Sequence, residues 1–188
     1  MKFFRDKLIQ KLDCNLYLYS HTDKIIISDV DGTVTTGEIK GVLSDIVFRK
    51  VPCHEGVCEF YRRLIKNGYK ILYLTARSYR FYRWTKDFLS NRIKDHPDGL
   101  PDGPLLCSPY KFETSVMLMS LEKMKLKILE VVKAVFLNNQ PFVAGFGDKS
   151  SDIACYLGIG LKRSRIYMVS AGDKCVYRYD GNFSWFKD

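Results

Sequence analysis

Apolar residues along this chain fall into short blocks whose spacing predicts a succession of strands and helices. Residues 25–27 are β-branched and continuously apolar, as in a strand that is buried on both faces. Over residues 57–65 apolar side chains recur at helical spacing, and Asn67-Gly68 is a typical helix end. Residues 69–74 form a second apolar run. A strand, a helix and a strand joined by short loops predict a βαβ unit in a parallel sheet.

Further blocks of the same kind follow. They predict an aromatic- and arginine-rich helix at residues 79–93, a short edge strand at 104–108 and a long helix at 123–136. A buried strand at 140–147, another strand at 165–169 and a closing hairpin at 175–179 follow. The aromatic and arginine side chains of residues 79–84 either pack against the sheet or form a rim for a lipid or nucleic-acid surface. The whole pattern predicts an α/β domain.

The first 19 residues have a different pattern. Apolar side chains recur there at helical spacing, and basic residues occupy much of the remaining surface; the apolar set is Phe4, Leu8, Ile9, Leu12 and Leu16. Such a basic amphipathic helix either docks on its own domain or lies in a membrane interface. We therefore divide the chain into an N-terminal segment, residues 1–24, and a single domain, residues 25–188.

Composition narrows the classes of function. The formal net charge is +9 and the pI is about 9.2, which favours anionic partners: a lipid surface, nucleic acid or a phosphorylated substrate. No apolar run approaches the roughly 20 residues that cross a bilayer. The six cysteines have no CxxC spacing, so we expect reduced intracellular thiols instead of disulfides or a zinc site.

Polar side chains follow the predicted strands. Asp29 and Asp31 come directly after the first strand, and alternation along an extended chain would point both carboxylates the same way. Two like charges at one place favour a bound cation, and Mg²⁺ prefers such oxygen ligands. An aspartate-rich β-turn would explain the same residues without a metal.

The later strands repeat this arrangement. Thr75 follows the second strand and could bind phosphate. Asp148 and Asp152 follow the third, near the predicted start of a helix. In a parallel sheet all of these lie at the same carboxyl edge, where open α/β folds bind their ligands. A lysine beside the carboxylates would balance charge, and the candidates are Lys123, Lys125 and Lys127.

These elements resemble the four motifs of the haloacid dehalogenase superfamily of phosphotransferases. Within it, the chain is similar to the catalytic domain of the lipins, which are Mg²⁺-dependent phosphatidate phosphatases. The phrases that carry this resemblance are Asp29-Val-Asp31-Gly-Thr33, His54-Glu-Gly56, Asn67-Gly-Tyr-Lys70, Thr75-Ala-Arg-Ser78, Gly103-Pro-Leu-Leu106, Ser108-Pro109 and Gln140-Pro-Phe142. The resemblance implies a Rossmann-like three-layer fold with a mostly parallel sheet and hydrolysis of phosphatidic acid to diacylglycerol and phosphate.

The resemblance also implies a role for each motif residue. Asp29 would be the nucleophile that forms an aspartyl-phosphate, and Asp31 the general acid and base. Thr75 would hold a phosphate oxygen. Counting back from residues 133–136 along the lipin-like helix selects Lys125. Mg²⁺ would be held by the Asp29 carboxylate, the Asp31 carbonyl and Asp148, with Asp152 and Thr33 in secondary roles.

The chain departs from the lipin pattern in three respects. Val42 stands where a histidine would follow Gly41, which leaves substrate contacts open. Asp148 stands where lipins typically carry asparagine. The amino-terminal lipin domain is not recognisable, unless residues 1–24 replace part of it.

Only about 23 residues separate Asp31 from the first predicted helix, so we expect a short flap and no large cap domain. An open site suits a phosphate presented by a larger body. The lipin-like phrases favour phosphatidic acid at a membrane surface over nucleic acid, and the family implies a cytoplasmic protein at the endoplasmic reticulum or nuclear membrane. The alternatives are a phosphatase of protein or nucleic-acid phosphomonoesters, a phosphatase of small metabolites, and a phosphatidate-binding module without activity.

Overall fold

The computed structural model describes residues 14–36, 52–91, 93, 99–109, 118–137, 140–170, 172, 175–180 and 183–184. Within them, seven strands form one sheet in the order β3-β2-β1-β4-β5-β6-β7. The strands are β1 (Ile25–Asp29), β2 (Lys70–Ser78), β3 (Leu105–Ser108), β4 (Phe142–Gly147), β5 (Ile166–Ser170), β6 (Cys175–Arg178) and β7 (Phe183–Ser184). Strands β1 to β5 pair in parallel, whereas β6 and β7 extend the sheet antiparallel. The predicted mostly parallel sheet is confirmed.

The helices lie where the helical spacing predicts them. They are α1 (Val57–Lys66), α2 (Tyr82–Asn91), α3 (Leu118–Ala134) and α4 (Ser150–Gly158), with short 3-10 turns at Tyr79–Phe81 and Arg163–Arg165. Asn67 ends α1 as predicted. The predicted second strand is longer than its apolar run, because β2 continues through the polar residues 75–78.

The helices cover both faces of the sheet. On one face, Ile26 is buried in a cluster with Tyr61 of α1 and Phe88 of α2. On the other face, Ile27 is buried with Leu129 of α3 and with residues of α4. Burying one such side chain contributes roughly 1.5–3 kcal/mol, and β1 is central to both clusters. This is a Rossmann-like three-layer α/β fold with β1 in its middle.

The predicted N-terminal helix is wrong over residues 14–19, which form neither helix nor strand; residues 1–13 lie outside the described part. This segment contacts the domain through every second residue. Asn15 Nδ2 donates to Tyr82 Oη at 3.0 Å, and Tyr17 Oη contacts Asp102 at 3.2 Å and also Lys86. Tyr19 packs edge-on against Phe136. The alternate residues Leu16 and Leu18 are exposed. A period of two requires an extended chain, so contacts with the domain override the helical spacing.

The two ends of the predicted flap are held together. Thr35 and Cys53 form an antiparallel bridge, and the amide of His54 donates to the carbonyl of Val34 at 3.0 Å. Residues 37–51 between these ends lie outside the described part.

Close packing of β4 against α4 gives a stability prediction. A Cβ at Gly145 would lie 2.7 Å from the ring of Tyr156, which is fully buried and whose hydroxyl donates to the Phe146 carbonyl at 2.8 Å. The ring therefore has little freedom to shift. We expect Gly145→Ala to lower the free energy of unfolding by about 1–3 kcal/mol in urea titrations.

Gly172→Ala is the matched control. Among the described residues, the atom that a Cβ at that position would meet first is Ser170 Oγ, at 4.0 Å. Its effect should stay within about 0.5 kcal/mol. Equal stability of the two variants would contradict this description of the packing.

Candidate active site

The carboxyl edge of the sheet brings the predicted residues together. Strand β1 ends at Asp29, and the chain then turns, with the amide of Val34 donating to the carbonyl of Val30 at 2.9 Å. Gly32 in this turn has φ of 92°, a left-handed conformation that favours glycine. A Cβ there would also lie 2.0 Å from Asp148 Oδ2. The left-handed backbone and the close approach of the turn to the Asp148 carboxylate both favour glycine here.

Lys125 of α3 connects two of the acidic residues. Its Nζ donates to Asp29 Oδ1 at 2.6 Å and to Asp152 Oδ1 at 2.7 Å. All three side chains are buried. Of the three lysine candidates, only Lys125 makes these contacts, whereas Lys123 and Lys127 are exposed. The geometry therefore brings the lysine chosen from the resemblance to the predicted nucleophile.

Burial and charge act against each other in this triad. Burial lowers the pKa of Lys125, but the carboxylates of Asp29 and Asp152 outweigh it, so the pKa lies above its usual range and the lysine is protonated. Burial raises the pKa of Asp29, and the adjacent Lys125 opposes that rise. The ammonium group is therefore the main local stabiliser of an ionised Asp29.

A cluster of carboxylates lies beside this lysine. One oxygen from each of Asp29, Asp148 and Asp152 lies within 4.8 Å of the others. Asp152 is engaged through both oxygens, because Oδ2 accepts from the amide of Lys149 at 3.2 Å at the start of α4. Asp148 Oδ1 is buried and accepts no hydrogen bond from the described residues. Carboxylate oxygens at this spacing, one of them without a donor, are compatible with a divalent metal ion.

Strand alternation predicts that the Asp31 carboxylate lies beside that of Asp29, but in the structure it contacts a partner of its own. The strand ends at Asp29, so Asp31 lies in the turn, and its carboxylate is not part of the metal-compatible cluster. Arg77 Nη2 donates to Asp31 Oδ1 at 2.6 Å and Arg77 Nε to Oδ2 at 2.9 Å. The two motif aspartates therefore have separate cations, Lys125 for Asp29 and Arg77 for Asp31.

Thr75 and Thr33 lie in the same region. The Thr75 hydroxyl donates to Asp31 Oδ2 at 3.3 Å and accepts from the amide of Arg77 at 3.1 Å. Thr33 is buried in the turn, and its hydroxyl has no hydrogen-bond partner among the described residues. Thr75 therefore lies beside Asp31, the proton-carrying candidate.

Two residues of this site have a role that the sequence pattern does not indicate. Arg77 and His54 belong to the lipin-like phrases, but the sequence alone does not indicate a role for either. His54 is buried, and its Nε2 donates to the carbonyl of Gly32 at 3.0 Å, because a carbonyl can only accept. A polar residue inside a strand, as Arg77 is, was the available signal.

Size alone does not locate the site. A groove of about 670 Å³ opens on the face of the sheet beside α1, lined in part by Phe60, Tyr69, Phe146 and Tyr167. It contains none of the four acidic residues. The candidate site residues therefore lie at the carboxyl edge and do not line this groove.

Together, the fold and this edge define the class of protein. An aspartate pair after the central strand, a threonine on the next strand, a buried lysine on a helix and an acidic pair after β4 are the arrangement of the haloacid dehalogenase superfamily. Within it, the chain belongs to the LNS2 (Lipin/Ned1/Smp2) family, whose model matches residues 3–183.

Individual relatives agree with this assignment. The chain is 35% identical over 175 residues to phosphatidate phosphatase LPIN2 of Homo sapiens, covering 90% of this chain and 19% of that protein. It is 34% identical over 167 residues to nuclear elongation and deformation protein 1 of Schizosaccharomyces pombe, covering 85% of this chain and 25% of that protein. The chain thus spans about a fifth to a quarter of the length of these relatives.

Among the solved structures to which the chain is similar is the cobalt-bound form of the deoxy-D-mannose-octulosonate 8-phosphate phosphatase of Haemophilus influenzae. It is 19% identical with a TM-score of 0.42, over 77% of this chain and 71% of that chain. Among the described residues, no helix combines the length and apolar character that crossing a membrane requires.

The environment of Asp148 gives a pH-dependence prediction. Burial, followed by the charge of Asp152, raises its pKa from 3.8 to about 6. Between these values the folded protein binds a proton that the unfolded chain does not, so this contribution to stability grows as pH falls. In metal-free buffer at pH 7, Asp148→Asn should be more stable than the wild type by about 1 kcal/mol, a value reduced for solvent screening.

In urea titrations, the difference in the free energy of unfolding between Asp148→Asn and the wild type should narrow steadily as pH falls from 7 to 4. Titrating groups remote from Asp148 are common to both proteins and cancel in the comparison. A difference that stays constant with pH would contradict the raised pKa of Asp148.

Proposed function

We propose that this domain is a Mg²⁺-dependent phosphatidate phosphatase, which hydrolyses phosphatidic acid to diacylglycerol and phosphate at a membrane surface. The observation that carries the proposal is the buried contact of Lys125 with Asp29 and Asp152, next to the unpartnered oxygen of Asp148. This arrangement gives a carboxylate nucleophile a fixed cation and leaves an oxygen-rich place for a second one. The names of the relatives supply the substrate class.

In the proposed first step, a carboxylate oxygen of Asp29 attacks phosphorus. The bond from phosphorus to the glycerol oxygen breaks, and that oxygen keeps the bonding electron pair. It takes a proton from Asp31, which enters this step in its acid form. The products are diacylglycerol and an aspartyl-phosphate on Asp29. Lys125 supports this step because its ammonium lies 2.6 Å from Asp29 and orients the nucleophile.

In the second step, the Asp31 carboxylate accepts a proton from water as the water oxygen bonds to phosphorus. The bond from phosphorus to Asp29 then breaks, which releases phosphate and restores the Asp29 carboxylate. The Thr75 hydroxyl, which donates to Asp31 at 3.3 Å, would turn from Asp31 to hold a phosphate oxygen.

Mg²⁺ would be held by the Asp29 carboxylate, the Asp31 carbonyl and Asp148, and when bound it would neutralise negative charge on the phosphoryl group. Asp152 would orient Lys125, since both of its oxygens are already engaged by Lys125 and the Lys149 amide.

The membrane as the place of action is supported by charge and by the flap. The net charge of +9 favours an anionic surface. The ends of the flap are joined by the Thr35–Cys53 bridge, and the loop between them has the length of a flap and not of a cap domain. We propose the endoplasmic reticulum or nuclear membrane as the location.

We expect phosphate release from phosphatidic acid in mixed micelles that requires Mg²⁺, because the proposed metal ligands include no group that could replace the ion. Asp29→Asn and Asp31→Asn should each lower the rate at least about 10³-fold without loss of the fold. The measurement is inorganic phosphate, with a soluble phosphomonoester in parallel. Release from the soluble compound alone would discard the lipid substrate, and binding of the lipid without release would favour a phosphatidate-binding module.

A lysine comparison tests the geometry. Lys125→Met leaves two buried carboxylates without their cation, and we expect a loss of activity of at least about 10²-fold and a lower free energy of unfolding by about 3–5 kcal/mol. Lys127→Met, two residues along the same helix and exposed, should leave both nearly unchanged. Similar effects in the two variants would contradict the role of Lys125.

A further inference from the structure

Arg77 is held in an unusually complete set of contacts. Its Nε and Nη2 donate to the two carboxylate oxygens of Asp31 at 2.9 and 2.6 Å, a bidentate pair. Its side chain is 10% exposed and that of Asp31 is 20% exposed. The pair is therefore largely shielded from water, unlike the exposed ion pair of Arg63 with Glu59.

The guanidinium is also fixed from the side of α2. Its Nη1 donates to Thr85 Oγ1 at 3.4 Å, and its Cζ lies 5.1 Å from the ring centre of Trp84 and 5.5 Å from that of Phe88. Trp84 and Phe88 are stacked on each other at 6.0 Å, and Thr85 and Phe88 are fully buried. These three residues form a platform that determines the plane of the guanidinium.

Asp31 depends on this guanidinium for its orientation. It lies in a turn after the strand, so no strand neighbour restricts its side chain. The donors to its carboxylate among the described residues are Arg77 and the Thr75 hydroxyl. Three of the five guanidinium N–H groups donate to Asp31 and Thr85. The geometry therefore favours contact of Arg77 with Asp31 over direct contact with a phosphate.

We propose that Arg77 is a positioning residue, which holds the Asp31 carboxyl group in the orientation that transfers a proton to the leaving glycerol oxygen. Trp84, Thr85 and Phe88 hold Arg77 in turn. This assigns a function to the buried face of the aromatic- and arginine-rich segment. The inference rests on the proposed function, because it takes Asp31 as the group that carries the proton.

Substrates with different leaving groups distinguish a positioning role of Arg77 from direct binding of phosphate. The alkoxide of diacylglycerol needs a proton as it leaves, whereas p-nitrophenolate leaves readily without one. The parameter kcat/KM reports the steps up to release of the alcohol and so isolates the first half of the reaction. We expect Arg77→Gln to lower kcat/KM for phosphatidic acid about 10²-fold and for p-nitrophenyl phosphate less than about 10-fold.

The separate constants give a second readout. Because Arg77 acts through Asp31, Arg77→Gln should lower kcat and change KM for phosphatidic acid less than about twofold. Equal losses on both substrates with a raised KM would show direct binding of phosphate and overturn the inference. Arg77→Lys should restore little activity, because an ammonium cannot reproduce the two-point contact or the stacking. Full rescue by lysine would also overturn it.

Arg63→Gln is the matched control, because it removes an arginine from an exposed ion pair on α1. It should leave kcat and KM unchanged. Thermal unfolding of each variant identifies a fold defect. If Arg77→Gln has such a defect, the same kinetic comparison is made with Arg77→Lys instead.

A crystal structure tests the inference without turnover. In Arg77→Gln crystals, the Asp31 side chain should leave its wild-type rotamer or occupy two. An unchanged Asp31 would refute the positioning role, even if the wild type hydrolysed phosphatidic acid. Conversely, a displaced Asp31 in a protein without phosphatidate hydrolysis would retain the positioning role and refute the proposed function.

Discussion

The crowding of four carboxylates at one edge of the sheet is the constraint on which the rest of the structure depends. Asp29, Asp31, Asp148 and Asp152 share this region with two buried or nearly buried cations, Lys125 and Arg77. Two like charges about 4 Å apart repel by about 4 kcal/mol at an effective dielectric constant of 20. Each cation therefore stabilises the fold as well as the proposed chemistry, and the remaining negative charge favours a bound divalent ion.

The order of the strands determines which carboxylate receives which cation. β1 lies between β2 and β4, so its end is next to Arg77 on one side and Asp148 on the other. Lys125 reaches Asp29 from α3, on the face opposite α1 and α2. Asp29 and Asp31 thus have distinct surroundings although one residue separates them. This difference suits two distinct roles, a nucleophile and a proton carrier.

Much of this arrangement could be predicted from the sequence, because buried strands and the polar residues that follow them are local patterns. The parallel sheet, the helix ending at Asn67 and the approach of Thr75 and Asp148 to one edge follow from those patterns. The choice among Lys123, Lys125 and Lys127 could not follow from spacing. Residues two apart on a helix face different directions, so packing against the sheet decides which lysine is buried.

The remaining features depend on contacts between distant residues. Nothing local to Asp31 indicates that its partner is Arg77, 46 residues away. Residues 14–19 have helical spacing, yet Tyr17 and Tyr19 contact separate parts of the domain and keep the segment extended. In both cases long-range contacts override a local pattern, which explains why Arg77 cannot be assigned a role from the sequence alone.

The central claim is that phosphate is transferred to Asp29, and the most direct measurement is to trap it there. The protein would be mixed with phosphatidic acid labelled in its phosphate, quenched in acid within milliseconds and digested for mass spectrometry. The account predicts label on Asp29, with more accumulated in Asp31→Asn if the first step still proceeds in that variant. Rapid phosphate release with no label on the protein, or label on another residue, would contradict it.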